Sequence, residues 1–161
     1  MSIAAVLFWF SLSGIAYAYL GYPLILKVWA FFAKRSQSDP VSGVLPKVTL
    51  IVSVFNEEQV IEEKIVNTLM LDYPRDLLEI VFVSDGSTDR TDEIISRYAD
   101  CGVMLRRYEG RIGKTACLNN AGPLARGEII VFSDANSKYD QEAIRALVWR
   151  FSEDRVGFVT G

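Results

Sequence analysis

One stretch constrains the fold of this chain more than any other: Val81-Phe82-Val83-Ser84-Asp85-Gly86-Ser87-Thr88-Asp89. An apolar, β-branched run of this length reads as a strand buried on both faces. It passes directly into turn-forming polar residues, and a helical pattern begins near Asp92. Asp85 is thereby placed at the carboxyl end of a strand, opposite the N-terminus of the next helix. In open α/β sheets that is where ligands bind. The arrangement recurs at Ile129-Ile130-Val131-Phe132-Ser133-Asp134-Ala135-Asn136. Two strands each ending in Ser-Asp point to two acids converging on one ligand.

The rest of the chain after residue 46 supplies the same alternation. Val48–Val54 reads as a first strand, with Asn56-Glu57-Glu58 opening a helix that carries Ile61, Ile65 and Leu69 at i, i+4, i+8. Tyr73-Pro74 breaks that helix. Leu78–Val83 is the second strand, and Thr88 or Asp89 caps the second helix, whose apolar face is Ile94, Ile95 and Tyr98. Val103–Arg107 is a third strand, Lys114–Ala125 a third helix and Glu128–Phe132 a fourth strand. Ile144, Leu147, Val148 and Phe151 define a fourth helix, and Val156–Thr160 is read as a fifth strand. Strands alternating with helices imply βαβ units, a mostly parallel sheet and right-handed crossovers.

The N-terminal part is of another kind. From Ile3 to Leu26 there are 24 residues without a charge. As a helix they reach roughly 36 Å, beyond the ~30 Å hydrocarbon thickness of a bilayer. The stretch is apolar on every face, unlike a core helix. It also lacks the basic start and small-residue cleavage site of a signal peptide. Trp9, Tyr17, Tyr19, Tyr22 and Trp29 supply interfacial anchors, and Gly21 and Pro23 mark a bend or an end. Lys27, Lys34 and Arg35 follow, so the positive-inside rule puts the C-terminal side in the cytoplasm. The expected organisation is a transmembrane helix over 1–33, a polar linker over 34–46 containing Pro40, Gly43 and Pro46, and an α/β domain over 47–161.

Charge and composition exclude several functions. Residues 1–47 hold four bases and one acid, whereas the remainder holds 13 bases and 19 acids. An acidic domain lacks the phosphate-neutralising surface of a nucleic-acid binder, so no nucleic-acid partner is expected. The chain has no histidine, which removes Ser-His-Asp and Cys-His catalysis and all His-based metal sites. Cys101 and Cys117 have no CxxC spacing and read as buried free thiols.

Three features could carry chemistry. Asp85 either accepts hydrogen bonds from a base or ribose or closes an Asx turn, and position alone does not separate the two. Asp134, with the neutral carbonyl of Asn136, could hold a hard cation together with phosphate, or form a strand-end turn. Gly113-Lys114 opens a helix, so a cation and free N–H groups face the same end of the sheet as the acids, suiting a diphosphate. The Walker spacing and the GxGxxG fingerprint are both absent.

In order and spacing these segments resemble glycosyltransferase family 2, the inverting nucleotide-sugar enzymes of GT-A fold. The resemblance covers about residues 47–161. It rests on Val52-Ser53-Val54-Phe55-Asn56-Glu57-Glu58, Val83–Asp89, Gly113-Lys114 with Asn119, and Phe132–Asn136. Gly21-Tyr22-Pro23-Leu24 is similar to membrane-bound members that build polysaccharides and lipids. The resemblance implies that Val54, Asn56 and Glu57 line a nucleotide pocket and that Asp85 reads the uracil or ribose of a UDP-sugar. It implies that Lys114 lies by the base or diphosphate. Asp134 takes the first position of the DxD motif for Mg²⁺ or Mn²⁺, with Asn136 where the motif has its second acid. A glycan or lipid acceptor, a membrane partner and a catalytic base beyond Gly161 are further implications. A chain without that base is expected to bind donor and to turn over poorly. A non-catalytic nucleotide-sugar-binding module is the competing expectation. A nucleotidyltransferase would want a Gly-rich basic loop where this chain has Phe-Asn-Glu-Glu.

Overall fold

The computed structural model describes residues 2–32, 44–151 and 156–160. The chain divides into two compact units, Met1–Gln37 and Ser38–Gly161.

The first unit is helical. Helix α1 (Ile3–Ala16) starts at Ser2, whose Oγ accepts the Ala5 N–H at 3.3 Å. One π-helical stretch, Tyr17–Gly21, joins it to α2 (Tyr22–Phe32). The wider turn ends two residues before Pro23, which has no N–H to give. A Cβ on Gly21 would lie 3.0 Å from the Tyr17 ring, so a glycine lets that ring pack along the helix. Gly21 and Pro23 therefore widen the helix without ending it. The 29 residues Ile3–Phe31 are long and apolar enough to cross a membrane, and no residue of the span's apolar window is buried.

The second unit is built on a four-stranded parallel sheet of order β3-β2-β1-β4, with β1 Val48–Val54, β2 Leu78–Ser84, β3 Val103–Arg107 and β4 Ile129–Asp134. Both β1 and β2 are buried almost throughout. One face of the sheet, including Leu50, Val52, Ile80 and Phe82, shares a core with Ile61 and Ile65 of α3 (Ile61–Leu69), Ile94 and Ile95 of α4 (Thr91–Ser96) and Ile144 and Val148 of α6 (Ala143–Arg150). On the other face Ile51, Val81 and Val83 cluster with Cys117 and Ala121 of α5 (Lys114–Ala121). The edge strand β4 is half-covered. Ile129, Val131 and Ser133 point inward, while Ile130 and Phe132 are exposed.

The chain crosses from β1 outward to β2 and β3, then returns to the opposite side of β1 for β4. That reversal makes a crevice at the carboxyl ends of β1 and β4. In the register Ser53 pairs with Asp134 and Val54 with Ser84, so the ends of β1, β2 and β4 lie level.

Several boundaries differ from expectation. Asn56-Glu57-Glu58 does not open a helix; α3 begins at Ile61, because the preceding residues are spent on a loop clasp described below. The third helix ends at Ala121 and a 3₁₀ turn, Gly122–Leu124, follows, since Pro123 cannot continue an α-helix. Strand β4 runs on to Asp134, so that acid is the strand's last residue. Residues 156–160 form no strand: a β-branched run becomes one only when a neighbouring backbone pairs with it. Cys101 is exposed, in a 3₁₀ turn ending at left-handed Gly102, while Cys117 is buried as expected. Most of the expected linker, 34–43, lies outside the described residues; 44–47 is irregular, with Pro46 accepting the Tyr73 hydroxyl at 2.7 Å.

Candidate functional site

The loops after β1 and β2 are knitted together by side chain to backbone bonds. Asn56 has φ 53°, the left-handed region that asparagine tolerates better than most residues. Its Oδ1 accepts the Thr88 N–H at 2.8 Å, and its own N–H donates to Ser87 Oγ at 3.2 Å. The Glu57 N–H donates to Thr91 Oγ1 (2.8 Å) and the Glu58 N–H to Asp89 Oδ2 (3.1 Å). In return the Arg90 N–H donates to Glu58 Oε2 at 3.1 Å. Asp89, one residue before the N-cap Arg90, also accepts the Thr91 N–H at 3.0 Å at the start of α4. Burial pushes the Asp89 carboxyl upward, but the bonds from Thr91 and Glu58 outweigh it and hold the group below its usual range. The Phe-Asn-Glu-Glu and Ser-Thr-Asp motifs are thus largely a clasp. Asn56 faces Thr88 and does not line the cavity, contrary to its expected place in the pocket.

Asp85 is buried in the wall of the crevice. Its Oδ1 accepts the Ile112 N–H at 2.7 Å, and Oδ1 and Oδ2 share the Gly113 N–H at 3.2 and 3.0 Å. The carboxylate therefore holds down the loop after β3. The loop passes close: a Cβ on Gly86, which has φ 72°, would lie 2.9 Å from Gly110 O. Beneath it the Cys117 thiol is pushed up to about 11 by burial, with the Asp85 hydrogen bond and charge adding to the effect.

Gly113, at φ 93°, precedes α5, and Lys114 is the first residue of that helix. Lys114 Nζ donates to Asp134 Oδ1 at 2.5 Å, both side chains being about half exposed. Asn136 Nδ2 donates to Glu57 Oε1 at 3.4 Å. Val54, Glu57, Asp85, Lys114, Asp134 and Asn136 line one cavity of about 290 Å³ at the carboxyl end of the sheet. Three βα units far apart in sequence thus deliver two acids and a lysine to one place. Phe55 and Arg111 also line it, with the guanidinium 4.3 Å from the ring centroid. Arg111 lies inside the Gly110–Gly113 loop, but its pairing with Phe55 had no sequence signal. A second cavity of about 290 Å³ opens at the amino end of the sheet, beside Lys47, Arg75, Glu79 and Arg126. Ligands of open α/β sheets bind at the other end.

The donor set suits a hard divalent cation held jointly with phosphate. Asp134 and Glu57 offer carboxylates and Asn136 a carbonyl oxygen, all on the cavity wall. Among the described residues no group of three or more His, Cys, Asp or Glu could hold a metal by itself. Mg²⁺ and Mn²⁺ sites of one or two carboxylates completed by a diphosphate have this composition.

A parallel sheet with a strand-order reversal, acids at its carboxyl edge and a lysine at a helix start defines an open α/β protein with a polar crevice at the strand-order reversal. The chain belongs to glycosyl transferase family 2, whose model matches residues 49–161. The solved structure of mannosyltransferase PcManGT from Pyrobaculum calidifontis, in complex with GDP-Man and Mn²⁺, is similar at a TM-score of 0.77 and 34% identity, covering 89% of this chain and 44% of that one. S. aureus TarS 1–349, in complex with UDP-GlcNAc, gives 0.59 and 28%, covering 62% and 29%. The β-monoglucosyldiacylglycerol synthase of Nostoc sp. is 32% identical over 148 residues, which are 87% of this chain. The chain spans 32% of that relative's length. The fold is GT-A, preceded by a helix long and apolar enough to cross a membrane.

Proposed function

We propose that this chain binds the donor of a membrane-anchored, inverting glycosyltransferase, a nucleoside diphosphate sugar with UDP-sugar as the first choice. The observation that carries the reading is the convergence of Asp85, Lys114 and Asp134 on one cavity at the strand-order reversal. Neighbours of the same fold, solved with GDP-Man and with UDP-GlcNAc, support it.

In this reading Val54 and Asp85 wall the nucleoside end. The N–H groups at the start of α5 and the Lys114 ammonium face the diphosphate. Asp134, Asn136 and Glu57 would hold Mg²⁺ or Mn²⁺, which when bound offsets the negative charge left on the departing β-phosphate. Lys114 is paired with Asp134, so a bound diphosphate and its cation would each take one partner of that pair. The acceptor, a glycan or lipid hydroxyl, would attack the anomeric carbon from the side opposite the nucleoside diphosphate, whose bond to that carbon breaks as a general base takes the hydroxyl proton. Lys34 and Arg35, basic residues that follow the apolar span in the sequence, support a cytoplasmic side for the domain.

Titration calorimetry of the detergent-solubilised chain with UDP and GDP, in MnCl₂ and in EDTA, tests the proposal. Mn²⁺-dependent binding should fall at least tenfold in the double variant Asp85→Ala, Asp134→Ala. Equal affinity in parent and variant would overturn it.

A further inference from the structure

Lys64 is the least expected side chain in the α/β unit. It is 2% exposed, in the middle of α3, where an apolar residue would pack at less cost. Among the described residues it forms no ion pair. Its Nζ instead donates to Ser133 Oγ at 2.7 Å and to the Ser137 carbonyl at 2.7 Å, and lies 4.5 Å from the Tyr139 ring centroid. Two of the ammonium's three donors are thus taken by oxygens, and the ring adds a cation–π contact.

The two oxygens are placed tellingly. Ser133 immediately precedes Asp134, and Ser137 immediately follows Asn136. One buried ammonium therefore pins both ends of Asp134-Ala135-Asn136. Within the bracket the Ser137 N–H donates back to Asp134 O at 3.2 Å, which closes the turn. One turn further along α3, Asn67 completes the hold: its Oδ1 accepts the Tyr139 N–H at 2.9 Å and its Nδ2 donates to Tyr139 O at 2.8 Å. The residues from 133 to 139 are thus fastened to α3, no residue of which lines the cavity. With its backbone fixed, Asp134 keeps only side-chain freedom with which to meet Lys114 or a ligand.

We propose that Lys64 is a positioning residue: it bridges Ser133 and Ser137 so that the Asp134–Asn136 turn presents its oxygens to the diphosphate and its cation. The proposal rests on the reading of Asp134 and Asn136 as ligand groups given above. Lys64 touches no ligand itself; it acts through the turn. Preorganising a ligand group in this way saves ordering on binding, and a small misplacement is costly.

The test uses Lys64→Met, which fills the site but donates nothing, and Lys64→Gln, which is neutral but still donates. Amide hydrogen exchange is read at Ser137 and Tyr139 and, as reference, in β1 and β2. Affinity for UDP or GDP is read with and without Mn²⁺. In Lys64→Met the two turn amides should exchange at least tenfold faster with the strand amides unchanged. The Mn²⁺-dependent gain in nucleotide affinity should fall about tenfold, while metal-free affinity moves less than twofold. Lys64→Gln should restore part of both. Turn amides that stay protected, or strand amides that speed up equally, would overturn the proposal, the second by making Lys64 a general stability residue. If the parent chain shows no Mn²⁺-dependent nucleotide binding, the functional reading fails on that result, and the exchange data still decide whether Lys64 holds the turn.

Discussion

Asp85 is the side chain whose removal separates loop fastening from base recognition. Replacing it by alanine leaves the Ile112 and Gly113 N–H groups without their acceptor. Hydrogen bonds to a charged group contribute roughly 1.5–3 kcal/mol each. Two such donors would be worth about 3–6 kcal/mol, and water reaching the half-exposed Ile112 segment brings the loss toward the lower value, about 3 kcal/mol. At 1.36 kcal/mol per decade that raises the open population of the loop roughly 160-fold. Arg111 sits at the tip of this loop, so trypsin cleavage after Arg111 in native buffer reads the open population when reclosing is fast. Cleavage after Lys64, buried in α3, reports unfolding of the whole unit. The expected outcome for Asp85→Ala is a rise of about two decades at Arg111 without a matching rise at Lys64. Asp85→Asn, which keeps one neutral acceptor, should fall between, about tenfold. A change below threefold at Arg111, or equal acceleration at both sites, would refute the assignment of Asp85 as the fastening of this loop.

Two further outcomes follow from the buried titratable groups. Burial lowers the Lys64 ammonium from 10.5 to about 8, with the Asp134 charge opposing the shift. Between those values the unfolded chain holds more protons than the folded one, so stability rises with pH. Measured by urea unfolding relative to Lys64→Met, which cancels the other groups, the parent should gain up to about 3 kcal/mol from pH 8 to 10.5; a flat difference would contradict the burial of a charged lysine. Second, Cys117 is buried with its thiol pushed up to about 11, while Cys101 is exposed. A thiol reagent at pH 8 should therefore label one cysteine within minutes in the native chain and both only in denaturant. Equal rates in native buffer would be inconsistent with the packing of α5 on the sheet.

Much of this molecule is a direct consequence of residue order. The runs Val48–Val54, Leu78–Ser84 and Val103–Arg107 are strands because each is an apolar or β-branched stretch of strand length bounded by turn residues. Those signals are local and survive without tertiary context. The apolar N-terminal helix follows from length and the lack of charge. So does the placing of Asp85, Lys114 and Asp134 at one edge of the sheet: in a parallel βαβ chain every strand-to-helix junction falls on the same side.

What the linear order could not decide is which partner each polar group takes. Asn56 and Asp89 are spent on a clasp between two loops, although their types and positions equally suit ligand contacts. Asp85 faces a loop 27 residues downstream, and nothing in the linear order says which oxygens the Lys64 ammonium meets. Val156–Thr160 has the composition of a strand and pairs with no strand among the described residues. In each case the deciding quantity is the distance between groups remote in sequence, and a buried carboxylate or ammonium takes whatever donor or acceptor the packed sheet brings within about 3 Å, because leaving it unpaired costs more than any local preference supplies.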